Sequence, residues 1–172
     1  QIEKMEVKKG QPYKAGGSQL IYDRVKHQLI SYSILNDSLI FFNFNNGEWP
    51  DHPTEKLAVI QQHNRFVDPL TNTLVVFGGY GNHTYNAELA IHELDGCKWK
   101  IDTISSLLSP RYLSSIGNMG NGKFLLMGGY GSASGKQEEF PKNLHDLYLI
   151  DYRNLSCQKF NGVSSRRSNC LF

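Results

Sequence analysis

Short apolar segments separated by polar turns run along the chain, and two of them end in a pair of glycines. Residues 74–77 precede Gly78-Gly79, and residues 124–127 precede Gly128-Gly129. Both segments are rich in β-formers, whereas glycine is a poor strand residue that readily adopts positive φ, so each pattern predicts a strand that stops at a turn. Further strands are predicted at 62–67, 87–94 and 97–101, and at 112–117, 144–151 and 156–160. Each copy is therefore expected to contain four antiparallel strands.

The two copies are related by an internal repeat. The segment LVVFGGYG at 74–81 recurs as LLMGGYG at 125–131, and Gly78 and Gly128 are 50 positions apart, as are Trp49 and Trp99. A more degenerate first copy has candidate strands at 18–22, 27–33 and 38–44. Ser31-Tyr32-Ser33 stands in place of the glycine pair, and a turn at 45–47 leads to Trp49. No stretch of ten or more residues shows a capped helical period, so the chain is predicted to be all-β.

The repeat divides the chain into five parts. These are an N-terminal segment at 1–15, a degenerate first unit at 16–54, a second at 55–108, a third at 109–162, and the start of a further unit or a tail at 163–172. The apolar runs predict that Leu74, Val76, Phe77, Leu125 and Met127 are buried. Trp49 and Trp99 are expected at equivalent, mostly buried positions on outer strands.

The repeated unit resembles the kelch repeat. Its features are an apolar strand ending in Gly-Gly, an alternating strand containing Tyr, and an outer strand with a Trp, and Gly78-Gly79 to Trp99 fits this pattern. Pro110-Arg111 also resembles the Pro-Arg that often opens a kelch blade. In the third copy Lys159-Phe160 stands where the Trp is expected, and residues 132–140 form an insertion. The resemblance covers approximately residues 16–162.

This resemblance implies a segment of kelch-type β-propeller with about three four-stranded antiparallel blades. A four-stranded sheet cannot bury both apolar faces alone, so blades stack around an axis. The glycines allow a tight turn beside a neighbouring blade. The Trp covers the contact between two blades. Propellers contain roughly 4–8 blades, so the resemblance implies that the remaining propeller blades belong to the same longer chain. Residues 168–172 resemble the first strand of a further blade.

Composition and charge restrict the partners. The chain has 40% hydrophobic and 20% charged residues and a formal charge of +2, with its basic residues scattered, so no nucleic acid partner is expected. The longest apolar runs have four residues, which argues against direct membrane insertion. The three cysteines lack metal-type spacing. The start at Gln1, without a leader, fits either a mature chain or an excised piece.

No catalytic residue, metal ligand or cofactor is predicted, because the chain lacks a phosphate loop, His-Glu-x-x-His, Gly-x-Ser-x-Gly and paired-cysteine motifs. The resemblance implies a non-catalytic recognition scaffold that binds a peptide, protein or glycan through rim loops. The alternative is a kelch-type enzyme acting on sugars, similar to a sialic acid mutarotase or a copper radical oxidase, although the copper ligands of the oxidase find no residue-by-residue match.

Residues 131–141 and 143–148 are also similar to kelch-like sensor propellers of bacterial membrane-signalling regulators. That similarity favours an extracytoplasmic setting, periplasmic or secreted, over a cytoplasmic adaptor. Free cysteines are compatible with both the extracytoplasmic and the cytoplasmic setting.

Candidate ligand-binding residues lie where kelch propellers present contacts, at the start of innermost strands and after the glycine pairs. They are His63, Arg65, Tyr80, His83, Tyr85, Arg111, Tyr112, Tyr130 and Lys136. Arg offers a rigid fork of donors and Tyr a flat face with a hydroxyl, which together suit carboxylates, sugar rings or peptide side chains. The structural alternative is that Arg111 bonds backbone carbonyls of a neighbouring blade and that the tyrosines pack on the glycines.

Overall fold

The structure, a computed structural model, describes residues 6–13, 20–52, 60–104 and 108–160. Every helix or strand element in these ranges is a β-strand, and all pairs between strands are antiparallel. The first sheet consists of β1 (Leu20–Asp23), β2 (Gln28–Ser33) and β3 (Ser38–Phe41). The second consists, in spatial order, of β4 (Asn64–Asp68), β5 (Thr73–Phe77), β8 (Glu88–Glu93) and β9 (Lys100–Thr103). The third consists of β11 (Ser115–Gly120), β12 (Lys123–Met127), β15 (Leu147–Asp151) and β16 (Ser156–Lys159).

Two small sheets follow the glycine pairs. One is the hairpin of β6 (Tyr80–Gly81) and β7 (Thr84–Tyr85). The other contains β10 (Arg111–Tyr112), β13 (Tyr130–Gly131) and β14 (Lys142–Asn143).

The predicted all-β fold is confirmed, and so are four antiparallel strands in the second and third sheets. The first sheet has three strands, and where the fourth is expected Glu48 makes isolated bridges to Asn43 and to Lys9. The reason is that Trp49 is followed by Pro50, which has no backbone N–H to extend a ladder.

The second sheet is buried on both faces. Along β5, Leu74 and Val76 pack against the first sheet, whereas Val75 packs against the third. A strand covered on both sides needs apolar residues at every position, which explains its unbroken apolar run. The core toward the first sheet contains Ile30, Tyr32, Leu74, Val76, Ala90 and Leu94. The core toward the third contains Phe66, Val75, Phe77, Leu89, Ile104, Leu108, Phe124, Leu126, Tyr148, Ile150 and Tyr152.

Burial in the third sheet differs from the prediction. Leu74, Val76 and Phe77 of β5 are buried as expected, but Leu125 is only partly buried and Met127 is 51% exposed. Phe124 and Leu126, on the other face of β12, are fully buried against the second sheet. Leu125 and Met127 are less buried because no described strand covers their face.

The three main sheets converge at their first strands. Cα atoms of β4 come within 8 Å of those of both β1 and β11. Sheets stacked face to face lie about 10 Å apart, so the first strands approach more closely than the sheet centres do. The first strands therefore lie at one common edge of the stack.

The glycine pair of the second sheet allows a close approach by the third repeat. Gly78 and Gly79 have φ of +70° and +111°, a conformation that side chains with a Cβ rarely adopt. A Cβ on Gly78 would lie 2.7 Å from the carbonyl oxygen of Arg111. The amide of Gly79 donates to that same oxygen at 2.9 Å. At the glycine pair, therefore, the two repeats contact each other through backbone.

Trp49 and Trp99 occupy matching positions, but neither lies within a strand, whereas outer strands were predicted. Each packs with its ring centroid 5.1 Å from an aromatic ring, Phe42 just after β3 for Trp49 and His92 on β8 for Trp99. Trp49 is buried and Trp99 is half-buried. The Trp99 amide donates to Asp37 of the first sheet at 2.7 Å, so Trp99 covers the gap between the first two sheets.

In the third sheet Cys157, rather than Lys159-Phe160, stands at the position of the tryptophans. It lies opposite Ile150 in the pairing of β15 with β16. The outer strand β16 begins earlier in the sequence than expected, because only the four turn residues 152–155 separate it from β15.

Replacing Gly78 by Ala should lower the free energy of unfolding by about 1–3 kcal/mol, because it places a Cβ at positive φ and against a backbone carbonyl. Urea unfolding of the two proteins measures this difference. The matched control is Gly117→Ala on β11, where a Cβ would meet no atom within 4 Å. The control should stay within about 0.5 kcal/mol of the parent, and equal losses in both variants would contradict the close approach at Gly78.

Candidate functional site

Four tyrosines from the two best repeats form one group, here called the tyrosine cluster: Tyr80, Tyr85, Tyr112 and Tyr130. Tyr80 lies 5.3 Å from both Tyr85 and Tyr112, measured between ring centroids. Tyr85 and Tyr112 are stacked at 5.7 Å with an interplanar angle of 24°. Tyr130 stands edge-on to these two rings, at 6.0 and 6.1 Å. The cluster thus combines a near-parallel pair with an upright ring beside it.

The small sheets determine this arrangement. Tyr80 is paired directly with Tyr85 across β6 and β7, and Tyr112 with Tyr130 across β10 and β13, so each pair of rings lies side by side. The backbone of Arg111 then joins the two small sheets. Its carbonyl accepts from Gly79, and its amide donates to the carbonyl of Asn86 at 2.9 Å. The cluster is therefore built on hydrogen-bonded backbone from both repeats.

Three hydroxyls of the cluster are available to a ligand. The hydroxyl of Tyr80 donates to the side-chain carbonyl of Gln137. The hydroxyls of Tyr85, Tyr112 and Tyr130 have no hydrogen-bond partner among the described residues. In the described ranges Nε1 of Trp99 is the one fully buried side-chain polar atom without a partner, so these hydroxyls keep some contact with solvent, although Tyr85 itself is only 7% exposed.

The hydroxyl of Tyr85 remains protonated at neutral pH. Burial raises the pKa of Tyr85, and the neighbouring tyrosines and Glu138 act in the same direction. A protonated phenol donates a hydrogen bond and also accepts one. Tyr85 therefore offers an uncharged donor beside the apolar ring faces of the cluster.

The insertion of the third copy lies against the hairpin of the second. The Tyr85 amide donates to the Gly135 carbonyl at 2.6 Å, and the Gln137 amide to the His83 carbonyl at 3.0 Å. Lys136 forms a bridge with Thr84. The insertion thereby places Gln137 at the cluster, a residue that sequence reasoning missed. The signal that could have identified it is that only one copy carries the insertion.

Six of the nine candidate residues come together at this surface. They are Tyr80, His83, Tyr85, Tyr112, Tyr130 and Lys136. Nδ1 of His83 lies 3.4 Å from the Gln137 side chain. The Lys136 ammonium instead turns to Glu139 at 2.9 Å, and this hydrogen bond raises the pKa of Lys136. The remaining three candidates, His63, Arg65 and Arg111, lie elsewhere.

Arg111 is fully buried and ion-paired. Its guanidinium makes a two-pronged contact with Asp146, at 2.6 and 3.1 Å, and donates to the carbonyls of Gly128 and Ser109 at 3.0 and 2.9 Å. It also lies 5.5 Å from the ring centre of Tyr148. These contacts correspond to the structural alternative, except that the carbonyls belong to its own repeat and not to a neighbouring one. Sequence reasoning missed Asp146.

His63 and Arg65 lie between the first and second sheets. Nε2 of His63 is 2.5 Å from the hydroxyl of Tyr32, and Nε of Arg65 donates to the Leu20 carbonyl at 3.0 Å. Burial and the positive charge of Arg65 lower the pKa of His63 to about 4. Burial raises the pKa of Tyr32. These contacts join the start of β4 to the first sheet through the His63–Tyr32 pair and through the charged guanidinium of Arg65 on one backbone carbonyl.

Comparisons with known proteins do not assign a function. The described part of the chain contains no group of three or more His, Cys, Asp or Glu side chains placed to bind a metal. Within the same ranges, no helix has the length and apolar content that a bilayer crossing needs. No protein-family model matches the chain, and neither does any curated protein.

Arg111→Ala should lower the free energy of unfolding by about 3–5 kcal/mol, because it leaves the Asp146 carboxylate without its buried partner. The control is Lys100→Ala, which removes an exposed pair with Asp102 at 3.2 Å. The control should lose no more than about 1 kcal/mol. Denaturant unfolding measures both, and a small loss for Arg111→Ala would show that the buried pair does not stabilise the fold.

Folding stability should fall as the pH drops from about 6.5 toward about 4, because the pKa of His63 is about 4 in the folded chain and 6.5 ordinarily. The unfolded chain takes up this proton first, so the contribution is complete above 6.5 and is lost on acidification. His63→Gln retains a polar partner for Tyr32 but does not titrate. The difference in urea midpoint between parent and variant should therefore change between about pH 7 and about pH 5. If the urea midpoints of parent and variant change with pH by the same amount, His63 does not have the lowered pKa.

Proposed function

We propose that this chain is a recognition scaffold, a segment of kelch-type β-propeller that binds a peptide, protein or glycan at the tyrosine cluster. The observation that carries the proposal is the meeting of four tyrosine rings from consecutive repeats, three of them with hydroxyls that have no hydrogen-bond partner in the described part of the chain. Tyrosine is enriched at interface hot spots because it combines a large apolar face with a polar tip.

The stacking of the three main sheets supports the propeller part of the proposal. The sheets are covered face to face, converge at their first strands, and place Trp49 and Trp99 at matching points. Blades of a propeller have these relations to one another. In this arrangement the segments after the glycine pairs stand at the ends of the sheets, where rim loops present ligand contacts.

The chemistry of the cluster favours a ligand with an apolar face and polar edges. The stacked pair of Tyr85 and Tyr112 and the edge-on ring of Tyr130 form a corner of apolar surface. Hydroxyl groups at this corner can fix the orientation of a bound group through hydrogen bonds. Sugar rings and peptide side chains both have these properties.

An enzyme acting on sugars ranks second. Such an enzyme needs a general base or a nucleophile with a pKa near the working pH. The pKa of Tyr85 is raised rather than lowered, so its phenol is a poor base at neutral pH. Ligand recognition does not require a tyrosine with a pKa near the working pH.

Tyr112→Ala should weaken binding of a ligand selected from immobilised oligosaccharide and peptide panels by at least about tenfold, which is about 1.4 kcal/mol. The panels are screened with the 172-residue chain, and affinities are measured by calorimetry. Tyr22→Ala is the matched control, because Tyr22 is exposed on the first sheet and lies outside the cluster. Equal affinities for parent, Tyr112→Ala and Tyr130→Ala would place binding elsewhere.

A further inference from the structure

A cavity of about 280 Å³ opens between the first and second sheets. Its walls are mostly apolar and include Ile34 of the first sheet with Val76 and Ala90 of the second. Ile60 and Glu88 lie at the same cavity. The hairpin of β6 and β7 contributes Asn82 to its wall, but none of the four tyrosines of the cluster lines the cavity.

The two junctions between main sheets can be compared position by position. On the second sheet, Gly78 donates to the Glu88 carbonyl at 3.1 Å, and on the third Gly128 donates to the Asp146 carbonyl at 3.0 Å. Glu88 therefore corresponds to Asp146. Two residues further along each strand, Ala90 corresponds to Tyr148, since they pair with Val76 and Leu126 respectively.

Ile60 corresponds to Arg111 by the same comparison. Gln61 bridges to Tyr80 in the second repeat, and Tyr112 pairs with Tyr130 in the third. The residue before Gln61 is Ile60, and the residue before Tyr112 is Arg111. The following residues, Gln62 and Leu113, both have φ of +54°. The turn is thus the same in the two repeats.

The cavity occupies the place that the buried ion pair fills at the other junction. There, the Arg111 guanidinium lies against the Tyr148 ring and on the Asp146 carboxylate. At the first junction Ile60 provides no cation and Ala90 provides no ring. The carboxylate is retained as Glu88, so the first junction has the acceptor and the space but lacks the guanidinium.

The charge of the cavity is unbalanced. Its ionisable lining residues are Glu88 and His63, and no described Lys or Arg forms an ion pair with Glu88. Burial keeps His63 neutral at neutral pH by lowering its pKa to about 4. Among the described residues, the Glu88 carboxylate accepts only from the uncharged Asn86 side chain, at 3.2 Å, and Glu88 is solvent-exposed. The positive charge of Arg65 acts on His63, but no described cation is paired with the Glu88 carboxylate at the cavity.

We propose that this cavity binds an arginine side chain of a peptide partner. The guanidinium pairs with the Glu88 carboxylate, and the three methylenes lie along Ile34, Val76 and Ala90. Arginine fits better than lysine because its planar fork matches a carboxylate with two hydrogen bonds and is more weakly hydrated. Apolar walls suit the stem of a long charged side chain. The proposal is independent of the function assigned to the tyrosine cluster.

The probe is acetyl-Gly-Arg-Gly-amide, titrated into the 172-residue chain and followed by NMR shifts of residues lining the cavity. Saturable binding with a Kd of about 1 mM is expected, with an affinity at least about tenfold higher than for the uncharged citrulline peptide. No shift at about 10 mM, or equal affinity for the two peptides, overturns the proposal. Tenfold tighter binding of n-butylguanidinium than of the peptide would also overturn it, since a small molecule would then be the occupant.

Two variants test the assignment of the contacts. Glu88→Gln should reduce the affinity for the arginine peptide about tenfold, because the pairing charge is lost, whereas Glu93→Gln on the same strand should leave it unchanged. Ala90→Tyr fills the cavity with the ring found at the other junction and should abolish binding. Thermal unfolding verifies that each variant is folded, and if Ala90→Tyr fails to fold, Glu88→Gln decides alone. Unchanged affinity in Glu88→Gln overturns the proposal.

Discussion

The burial of both faces of the second sheet is the constraint on which the rest of the structure depends. Each residue of β5 is buried, and its alternate side chains reach two separate cores. Leu74, Val75 and Phe77 are fully buried, and a buried side chain of this size contributes about 1.5–3 kcal/mol. Leu74 is buried only while the first sheet is in place, and Val75 and Phe77 only while the third is, so the stability of β5 depends on both neighbours.

Polar contacts fix the sheets at both ends of this stack. At the glycine end, backbone hydrogen bonds join Gly79 to Arg111. At the opposite end, the buried carboxylate of Asp68 accepts from the Gly122 amide at 3.1 Å and from the Tyr152 hydroxyl at 2.9 Å, both in the third repeat. Apolar stacking alone would let sheets slide, whereas directional hydrogen bonds at two ends set one register.

The strands were predictable from the sequence because alternation, paired glycines and turn residues are local signals. Met127 was assigned wrongly because the cover over a sheet face depends on a neighbour that no local pattern reveals. Tyr80 and Tyr112 lie close together because of the direction in which the segments after the glycine pairs fold. The repeat pattern in the sequence does not predict that direction. Asp146 was missed because it lies 35 positions from Arg111, and only the tertiary fold brings them together.

Substitution at a few junction positions changes what a repeated scaffold can do. Where Arg111 meets Asp146 and Tyr148, the junction is closed by a buried ion pair. Where Ile60 and Ala90 stand in place of the arginine and the tyrosine, the same backbone leaves a cavity beside a carboxylate. The backbone hydrogen bonds at Gly78 and Gly128 are alike in both cases, so the difference comes from side chains alone. The side chains at a junction thus decide whether it is closed by its own contacts, as at Arg111, or left with a cavity, as at Ile60.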